Sequence, residues 1–244
     1  WVTKIDHIAF RSQEHKQAEN FTKLFLSLAK DLRVIIIKFA DRLNNMETIE
    51  YLSSKKRKEI ASETKEIFVP LAHRLGMANL KWKFEDLALK CLDLRSYNSI
   101  KKKIEGSSRS NQKILESTIV PVKKELDSYK IHSDISGRYK SISSINRKIQ
   151  LRSKKFDEIY DLYAIRIVVD KIEECYLALG VIHSIYPPVQ DRFKDFIATP
   201  KTNGYQSIHT TVMTKDNRLT EVQIRTKEMD YTAEVGCLLY TSDA

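Results

Sequence analysis

The sequence is poor in the residues that build tight turns. It contains 6 glycines and 5 prolines among 244 residues, whereas average usage is roughly 7% and 5%. It also lacks a long apolar run: the longest compact one, Val34 to Ile37, ends at Lys38, and a membrane span needs about 18 apolar residues. The sequence therefore predicts long helices with few tight turns and argues against a helical membrane span.

Cysteine is scarce as well. The three cysteines, Cys91, Cys175 and Cys237, are far apart and form no C-x-x-C pair. Such a dispersed, odd-numbered set indicates neither a disulfide framework nor a zinc site. The chain starts with Trp1 rather than Met, and no basic and apolar leader follows. We therefore expect a fragment of a cytoplasmic protein that has no export signal.

Charged residues are abundant and unbalanced. Lys and Arg number 42 against 32 Asp and Glu, a net charge of +10, while 42% of residues are hydrophobic. This balance is typical of a folded protein and excludes the disordered and low-complexity classes. The positive excess favours a polyanionic partner, whether nucleic acid, nucleotide phosphates or an anionic membrane surface. The length allows one large domain or two smaller ones.

Hydrophobic periodicity divides the chain into two halves, which together predict an α+β protein. From Gln17 to about Lys130, apolar residues recur at spacings of three and four, which predicts successive helices interrupted between Ile104 and Asn111. A linker is predicted near residues 128–136. The second half then predicts an α/β unit with helices over 141–151, 172–184 and 226–235, and strands over 162–169, 207–212 and 219–225.

Polar residues alternate along the last predicted strand. Period-two alternation places Glu221, Gln223 and Arg225 on one face, and Val222 and Ile224 on the other. A carboxylate, an amide and a guanidinium group then share one surface. An ordinary solvated sheet face has the same pattern, so the neighbouring residues must decide between the two interpretations.

A second carboxylate, Asp161, comes directly before the apolar strand that contains Arg166. A charge inside a buried run rarely lacks a partner. If the two strands share a sheet, Asp161 and Glu221 supply the hard oxygen ligands that Mg²⁺ uses together with substrate phosphates. The simpler alternatives are a strand-initiating cap at Asp161 and a buried ion pair at Arg166.

Basic and polar residues form two clusters around these strands. A helix start with nearby Lys, Arg and Ser residues is suited to bind a triphosphate. Tyr205 is suited to stack on a base. Arg138 and Arg166 are suited to hold another base between their planar guanidinium groups. A basic solvated surface with a turn at Asn203-Gly204 is the alternative. A P-loop is unsupported, since G-x-x-x-x-G-K-[ST] does not occur. The clusters are Arg138, Lys140, Ser144, Arg147 and Lys148, and Arg192, Lys194, Lys201, Asn203, Tyr205 and His209.

In the helical half, Asp41 and Asn45 are spaced i, i+4 on one helical face. This spacing allows the two side chains to bind or position one ligand together. A polar pair on a helix surface is favoured by the spacing alone, because no histidine cluster accompanies them. His73 and Arg74, which follow Pro70, are interpreted as packing or capping residues.

Taken in order, these segments resemble the RelA/SpoT homologue family of guanosine tetra- and pentaphosphate synthetases and hydrolases. The segments similar to the synthetase signatures are GRYKSISSINRKI (137–149), FDEIYDLYAIRIVV (156–169), RFKDFIATPKTNGYQSIHTTV (192–212) and EVQIRTKEMDYTAE (221–234). QAENFTKLFLSLAKDLRVIIIKFADRLNNMETI and IFVPLAHRLGMANLKWKFEDL resemble the later hydrolase domain and its linking helices. The resemblance covers residues 17–236.

The resemblance implies a domain order and a reaction. Residues 1–95 would be the C-terminal part of an HD-type hydrolase domain with linking helices, 96–130 a helical linker, 131–236 a synthetase domain with a nucleotidyltransferase-like mixed sheet, and 237–244 a non-matching tail. The implied reaction moves the β,γ-diphosphate of ATP to the 3′-hydroxyl of GDP or GTP, leaving AMP, and makes the alarmone (p)ppGpp in the stringent response.

The resemblance also implies residue roles. Asp161 and Glu221 would hold Mg²⁺, and Glu221 would help to deprotonate the attacking hydroxyl group. Arg138 and Arg166 would sandwich adenine, with Lys140, Ser144 and Lys148 on the ATP phosphates. The guanine nucleotide would meet Lys194, Lys201, Asn203, Tyr205, His209 and Gln223, with Tyr205 stacked on the base.

Features of the hydrolase half imply that it is incomplete. The segment 192–195, Arg-Phe-Lys-Asp, resembles the bifunctional members. Asp41 matches an Asp of the family's Mn²⁺ site and Asn45 a substrate-contacting Asn, but the upstream His and the His-Asp pair of that site have no match in this chain. We therefore expect no hydrolysis, and a need for Mn²⁺ only if that segment were present.

Several positions depart from the family pattern. Asn44 and Asp230 stand where a His is usual, and Gln190-Asp191 replaces a Pro-Gly pair. The tail 237–244 looks like a truncation or a foreign junction, and the regions that would contact ribosome and transfer RNA are not in this sequence. The preference between GDP and GTP and the oligomeric state stay open.

Two other functions fit parts of the pattern. A nucleotide- or RNA-binding module would use the basic clusters without chemistry, but two carboxylates facing phosphates would repel them without Mg²⁺. A template-independent nucleotidyltransferase on the same fold would release pyrophosphate from ATP rather than AMP. The paired carboxylates favour the alarmone synthetase.

Overall fold

The computed structural model describes residues 33–106, 108–152, 163–215 and 217–235. The chain divides into two compact units, residues 1–60 and 61–244. In the first unit, helix α1 (Arg33–Glu47) is followed by a 3-10 turn (Ile49–Tyr51) and by the start of α2 (Ser54–Glu63). The buried side chains of α1 are Ile35, Phe39 and Met46, whose spacing of four and seven places them on one helical face.

The second unit begins with helices, as the apolar spacing predicts. After a π-helical turn (Thr64–Phe68) come α3 (Val69–Arg74), α4 (Ala78–Leu92), α5 (Leu94–Gly106) and α6 (Ser108–Ser128). Gly76, with a φ of 73°, lies between α3 and α4, where a left-handed residue ends a helix and favours glycine. The predicted interruption between 104 and 111 is confirmed, because α5 ends at Gly106 and α6 begins at Ser108.

A five-stranded mixed sheet follows these helices. The strands are β1 (Ser133–Tyr139), β2 (Tyr163–Val169), β3 (Lys194–Asp195), β4 (Ile208–Met213) and β5 (Leu219–Thr226), in the order β1-β2-β5-β4-β3. Strands β2 and β5 are parallel, and the other neighbours are antiparallel. The connecting helices are α7 (Ile142–Arg152), α8 (Ile172–Ile185) and α9 (Lys227–Val235). The predicted α+β class is confirmed.

The hydrophobic core lies on one face of this sheet. Alternate residues of β2 and β5, such as Ile167 and Ile224, are fully buried against α6 and α8. Within β1, a Cβ atom at Gly137 would lie 2.9 Å from a terminal methyl group of Leu115 on α6, so this glycine allows close packing of helix and strand. Period-two alternation then places the polar residues of β2, β4 and β5 on the opposite face.

The boundary of the predicted linker was wrong. Residues 133–136 belong to β1, and only residues 129–132 connect α6 to this strand. The apolar periodicity of Ser133 to Tyr139 is weak, because β1 is an edge strand whose residues include serines, glycine and charge.

The described residues bear on two predictions, which concern membrane-spanning helices and the cysteines. None of the described helices is long and apolar enough to cross a membrane. Cys175 is a free thiol, and Cys237 lies outside the described residues. Burial raises the pKa of Cys175 to about 12, so this thiol is a core residue rather than a nucleophile.

Candidate active site

Three neighbouring strands carry the candidate site on the face opposite the core. In the register, Gln223 of β5 lies between Arg166 of β2 and His209 of β4, and Glu221 lies opposite Thr211. The predicted shared face of Glu221 and Gln223 is thus extended by residues from both neighbouring strands. Chain segments that are far apart in sequence supply a carboxylate, an amide, an imidazole and a guanidinium group to one surface.

Glu221 lies among polar side chains. The ammonium group of Lys140 donates to its Oε2 over 2.5 Å, and Gln223 Nε2 donates to its Oε1 over 2.8 Å. His209 Nδ1 lies 3.7 Å from Oε1. Burial alone would raise the pKa of Glu221, but the charge and hydrogen bond of Lys140, with the bond from Gln223, lower it to about 2. The carboxylate is therefore ionised at any physiological pH.

His209 joins Glu221 to an aromatic cluster. Its Nε2 is 2.8 Å from the hydroxyl group of Tyr205, and its ring packs edge-on against Phe196 and Tyr205 at centroid distances of 5.3 and 5.7 Å. Burial lowers the pKa of His209 to about 4. The imidazole is therefore neutral at pH 7 and fixes Tyr205 without adding charge to the site.

The loop between β3 and β4 completes this side of the site. Lys201 Nζ lies 4.5 Å from the ring centroid of Phe196 and 5.0 Å from that of Tyr205, which are cation–π distances. Asn203 accepts a hydrogen bond from the backbone of Tyr205 and donates to the carbonyl oxygen of His73. Gly204 has a φ of 73°, as a turn at Asn203-Gly204 requires. Lys194 of β3 lies opposite His209 in the register.

The start of helix α7 carries the predicted phosphate-binding residues. Ser144 and Lys148 are spaced i, i+4 on this helix. The amides of Ile142 and Ser143 donate to the carboxylate of Asp86, the latter over 2.7 Å, while the amide of Ser144 donates to Ser141 Oγ over 3.3 Å. The amides of Ile142, Ser143 and Ser144 therefore already have acceptors within the protein.

Arg166 has carboxylate partners, as a charge in a buried strand requires. Its Nη1 donates to Glu234 Oε1 over 2.8 Å and lies 3.3 Å from Asp230 Oδ1. Both carboxylates belong to α9. Arg225 lies beside it, with Nη2 2.6 Å from the same Asp230 oxygen. Burial and the neighbouring Arg166 charge lower the pKa of Arg225.

Four further predicted residues are Arg138, Asp161, Asp41 and Asn45. Arg138 lies in β1 opposite Ala164, and Asp161 lies outside the described residues. Asp41 and Asn45 are exposed on α1 in the first unit. In the described ranges, no group of three His, Cys, Asp or Glu side chains is arranged to hold a metal ion.

Sequence reasoning missed several residues of this site. Phe196 stands beside the predicted loop residues and its aromatic character was the available signal. Asp86 lies on α4, far in sequence from α7, and no sequence pattern pointed to its role. Asp230 was noticed only as a departure, and Glu234 only as part of a signature segment.

Comparison with known proteins defines the class of this chain. Residues 137–240 match the family model described as "Region found in RelA / SpoT proteins", and residues 2–78 match an HD domain model. The first match contains β2 to β5 and the end of β1, together with Lys140, Glu221 and the Tyr205 loop. The chain belongs to the RelA/SpoT homologue family.

The relatives of this chain include proteins named as pyrophosphohydrolases and proteins named as pyrophosphokinases. The chain is 45% identical over 236 residues to a "Probable guanosine-3′,5′-bis(diphosphate) 3′-pyrophosphohydrolase" of Synechocystis, covering 96% of this chain and 31% of the relative. It is 41% identical over 235 residues to a "GTP pyrophosphokinase" of Myxococcus xanthus, again covering 96% of this chain and 31% of the relative. The chain thus spans about a third of the length of these relatives.

Among solved structures, small alarmone synthetase 1 from Bacillus subtilis bound to its product pppGpp matches with 25% identity and a TM-score of 0.44. The match covers 54% of this chain and 76% of that chain.

Proposed function

We propose that this chain is a (p)ppGpp synthetase that transfers the β,γ-diphosphate of ATP to the 3′-hydroxyl of GDP or GTP. The 3′ oxygen attacks the β-phosphorus of ATP, the bond from that phosphorus to the α,β-bridging oxygen breaks, AMP leaves, and the hydroxyl proton is removed. The observation that carries the proposal is the ionised Glu221, which lies between Lys140 and the His209–Tyr205 pair.

The Lys140–Glu221 ion pair suggests how binding would activate the carboxylate. Paired in this way, the ammonium group neutralises Glu221 and holds its pKa at about 2, which is too low for an efficient base. Triphosphate oxygens compete for the same ammonium group. When Lys140 turns to a phosphate, Glu221 loses its strongest partner, and its carboxylate is released to bind Mg²⁺ and to accept a hydrogen bond from the attacking hydroxyl group.

The two nucleotides would bind on opposite sides of Glu221. Lys140 and the α7 residues Ser144 and Lys148 would take the ATP phosphates, and Arg138 and Arg166 the adenine. On the other side, Tyr205 would stack on guanine, while the neutral His209 orients its ring. Lys194, Lys201, Asn203 and Gln223 complete the guanine-nucleotide side in this proposal.

The residues fit a magnesium ion bound together with phosphates. Glu221 presents an ionised carboxylate with 22% of its side chain exposed, and Mg²⁺ needs only one or two protein carboxylates in such sites. Asp161 is the second candidate ligand, three residues before Ala164, which pairs with Glu221 in the sheet. When bound, the ion would neutralise charge on the transferring phosphates.

The decisive variant is Glu221→Gln, which keeps the shape of the side chain and removes its charge. We expect AMP formation from ATP, Mg²⁺ and GDP to fall by about 100-fold or more, while GDP binding, measured by calorimetry without Mg²⁺, is retained. Glu173→Gln on the exposed side of α8 is the matched control.

Three results would contradict the proposal. The first is an unchanged rate of AMP formation in Glu221→Gln. The second is a folded wild-type chain that binds nucleotide but forms no AMP, in which case the chain is a binding module. The third is release of pyrophosphate in place of AMP, which would indicate a nucleotidyltransferase.

A further inference from the structure

Four charged residues form a cluster at the edge of the candidate site: Arg166, Arg225, Asp230 and Glu234. The two guanidinium groups share both carboxylates, with separations of 2.6 to 3.8 Å between nitrogen and oxygen. Opposite charges are equal in number, so the cluster is neutral overall. The contact between Arg166 and Glu234 is a hydrogen bond, whereas Arg225 Nη2 and Asp230 Oδ1 are buried and meet as an ion pair without hydrogen-bond geometry.

Arg166 is held by one edge of its guanidinium group. Its Nη1 donates to Glu234 with hydrogen-bond geometry, and N–H donors of guanidinium point outward in the plane of the group. The Arg166 side chain keeps 17% of its surface exposed, and a planar guanidinium group is what stacks on an aromatic base.

Arg225 is too deeply buried to bind a nucleotide itself. Its side chain is only 3% exposed, and its closest charged contact is Asp230, which also contacts Arg166. Arg225 therefore restrains Asp230, the carboxylate that lies beside Arg166. Arg225 acts on the candidate site through Asp230.

A helix outside the sheet anchors the far side of the cluster. Asn79, in the first turn of α4, donates its side-chain amide to Glu234. Glu234 thus lies between Asn79 and Arg166, and both carboxylates of the cluster are restrained on two sides.

We propose that Arg225 and Asp230 are positioning residues that orient the guanidinium plane of Arg166 for a purine base of the nucleotide donor. This inference rests on the proposed function, in which Arg166 contacts the adenine of ATP. Since they act on the base and not on the phosphates, their loss should weaken adenine nucleotides selectively.

The test compares Asp230→Asn with Glu228→Gln, an exposed carboxylate on the same helix. Affinities for the non-transferable ATP analogue AMPCPP, for inorganic tripolyphosphate and for GDP are measured on each folded variant. We expect Asp230→Asn to weaken AMPCPP by about 3- to 30-fold, the range of a cation–π contact. Tripolyphosphate and GDP should bind as to wild type, and Glu228→Gln should change none of the three.

Arg225→Lys provides a second variant, since it keeps the buried charge but loses the planar group. It should weaken AMPCPP in the same selective way and raise the KM for ATP more than that for GDP. Unchanged AMPCPP affinity in both variants, or an equal loss for tripolyphosphate, would overturn the inference. Neither result bears on whether wild-type chain forms AMP, so failure of the proposed function is recognised separately.

Discussion

His209 illustrates how a single residue is defined by its surroundings. Its ring is buried between Tyr205, Phe196 and Glu221, and desolvation disfavours the imidazolium ion more than the Glu221 carboxylate favours it. The residue is therefore a neutral hydrogen-bonding partner of Tyr205. A protonated His209 would instead place a third cation beside Lys201 and Lys194.

The pKa of His209 predicts a pH dependence of stability. Its folded pKa of about 4 lies below the ordinary 6.5, so between these values the unfolded chain takes up a proton that the folded chain does not. The contribution of the neutral His209 to the free energy of unfolding is complete above pH 6.5 and is lost as the pH falls towards 4. At pH 5 the loss is about 2 kcal/mol.

His209→Gln removes this titration. Between pH 7 and pH 5 the variant should lose about 2 kcal/mol less unfolding free energy than the wild type in urea titrations. His73 and His183 also have lowered pKa values, but they are present in both proteins and cancel in the difference. Equal losses in the two proteins would show that His209 is not held neutral.

At the residue scale, the sequence could predict which side chains share a face but not their partners. Alternation along β5 was enough to place Glu221 and Gln223 together. The Lys140–Glu221 pair joins positions 81 residues apart, and Arg166 and Glu234 are 68 apart. Such pairs depend on the strand order, which no local pattern encodes.

Helix α7 shows how one element is fixed by another. Its first-turn amides are capped by Asp86 from α4, and its apolar side packs on α5 through Ile145 and Ile100. A carboxylate at a helix start compensates both unpaired amides and the positive end of the helix dipole. Helix α4 therefore holds the helix that carries Ser144 and Lys148.

Asp86→Ala should lower the free energy of unfolding by about 1 kcal/mol, because the amides of α7 lose their acceptor. The control is Asp127→Ala, whose carboxylate is 56% exposed and pairs with Lys123 at 3.1 Å, and which should cost less than about 0.5 kcal/mol. Both are measured by urea unfolding. Equal effects would contradict a capping role for Asp86.

At the element scale, strong periodicity predicted most boundaries to within a residue or two. The helix predicted over 172–184 is α8 (Ile172–Ile185), and the strand predicted over 219–225 is β5 (Leu219–Thr226). The exceptions among the described strands are β1 and the two-residue β3, because edge strands that are short or rich in polar residues lack the apolar alternation on which such predictions depend.

For the whole molecule, the comparisons agree with the predicted sequence of a hydrolase-related half followed by a synthetase region. The boundaries predicted at 95, 130 and 236 stay predictions. The net charge of +10 is consistent with nucleotide substrates, but charge alone does not distinguish them from other polyanions.

The 244-residue chain should not hydrolyse guanosine tetraphosphate. It contains no His-Asp pair, and the exposed Asp41 and Asn45 are not enough for a catalytic Mn²⁺ site, which needs several protein ligands. Incubation with guanosine tetraphosphate and Mn²⁺, followed by anion-exchange chromatography, should leave the nucleotide intact. Appearance of GDP and pyrophosphate would contradict this expectation.

The most direct measurement follows both transferred phosphates. The chain is incubated with Mg²⁺, GDP and ATP labelled either at the β- or at the γ-phosphate, and the products are resolved by chromatography. The account predicts that both labels enter a single 3′-diphosphorylated guanosine nucleotide, with an equal amount of AMP. Label found in free pyrophosphate, or retained in ATP by a folded chain, would contradict it.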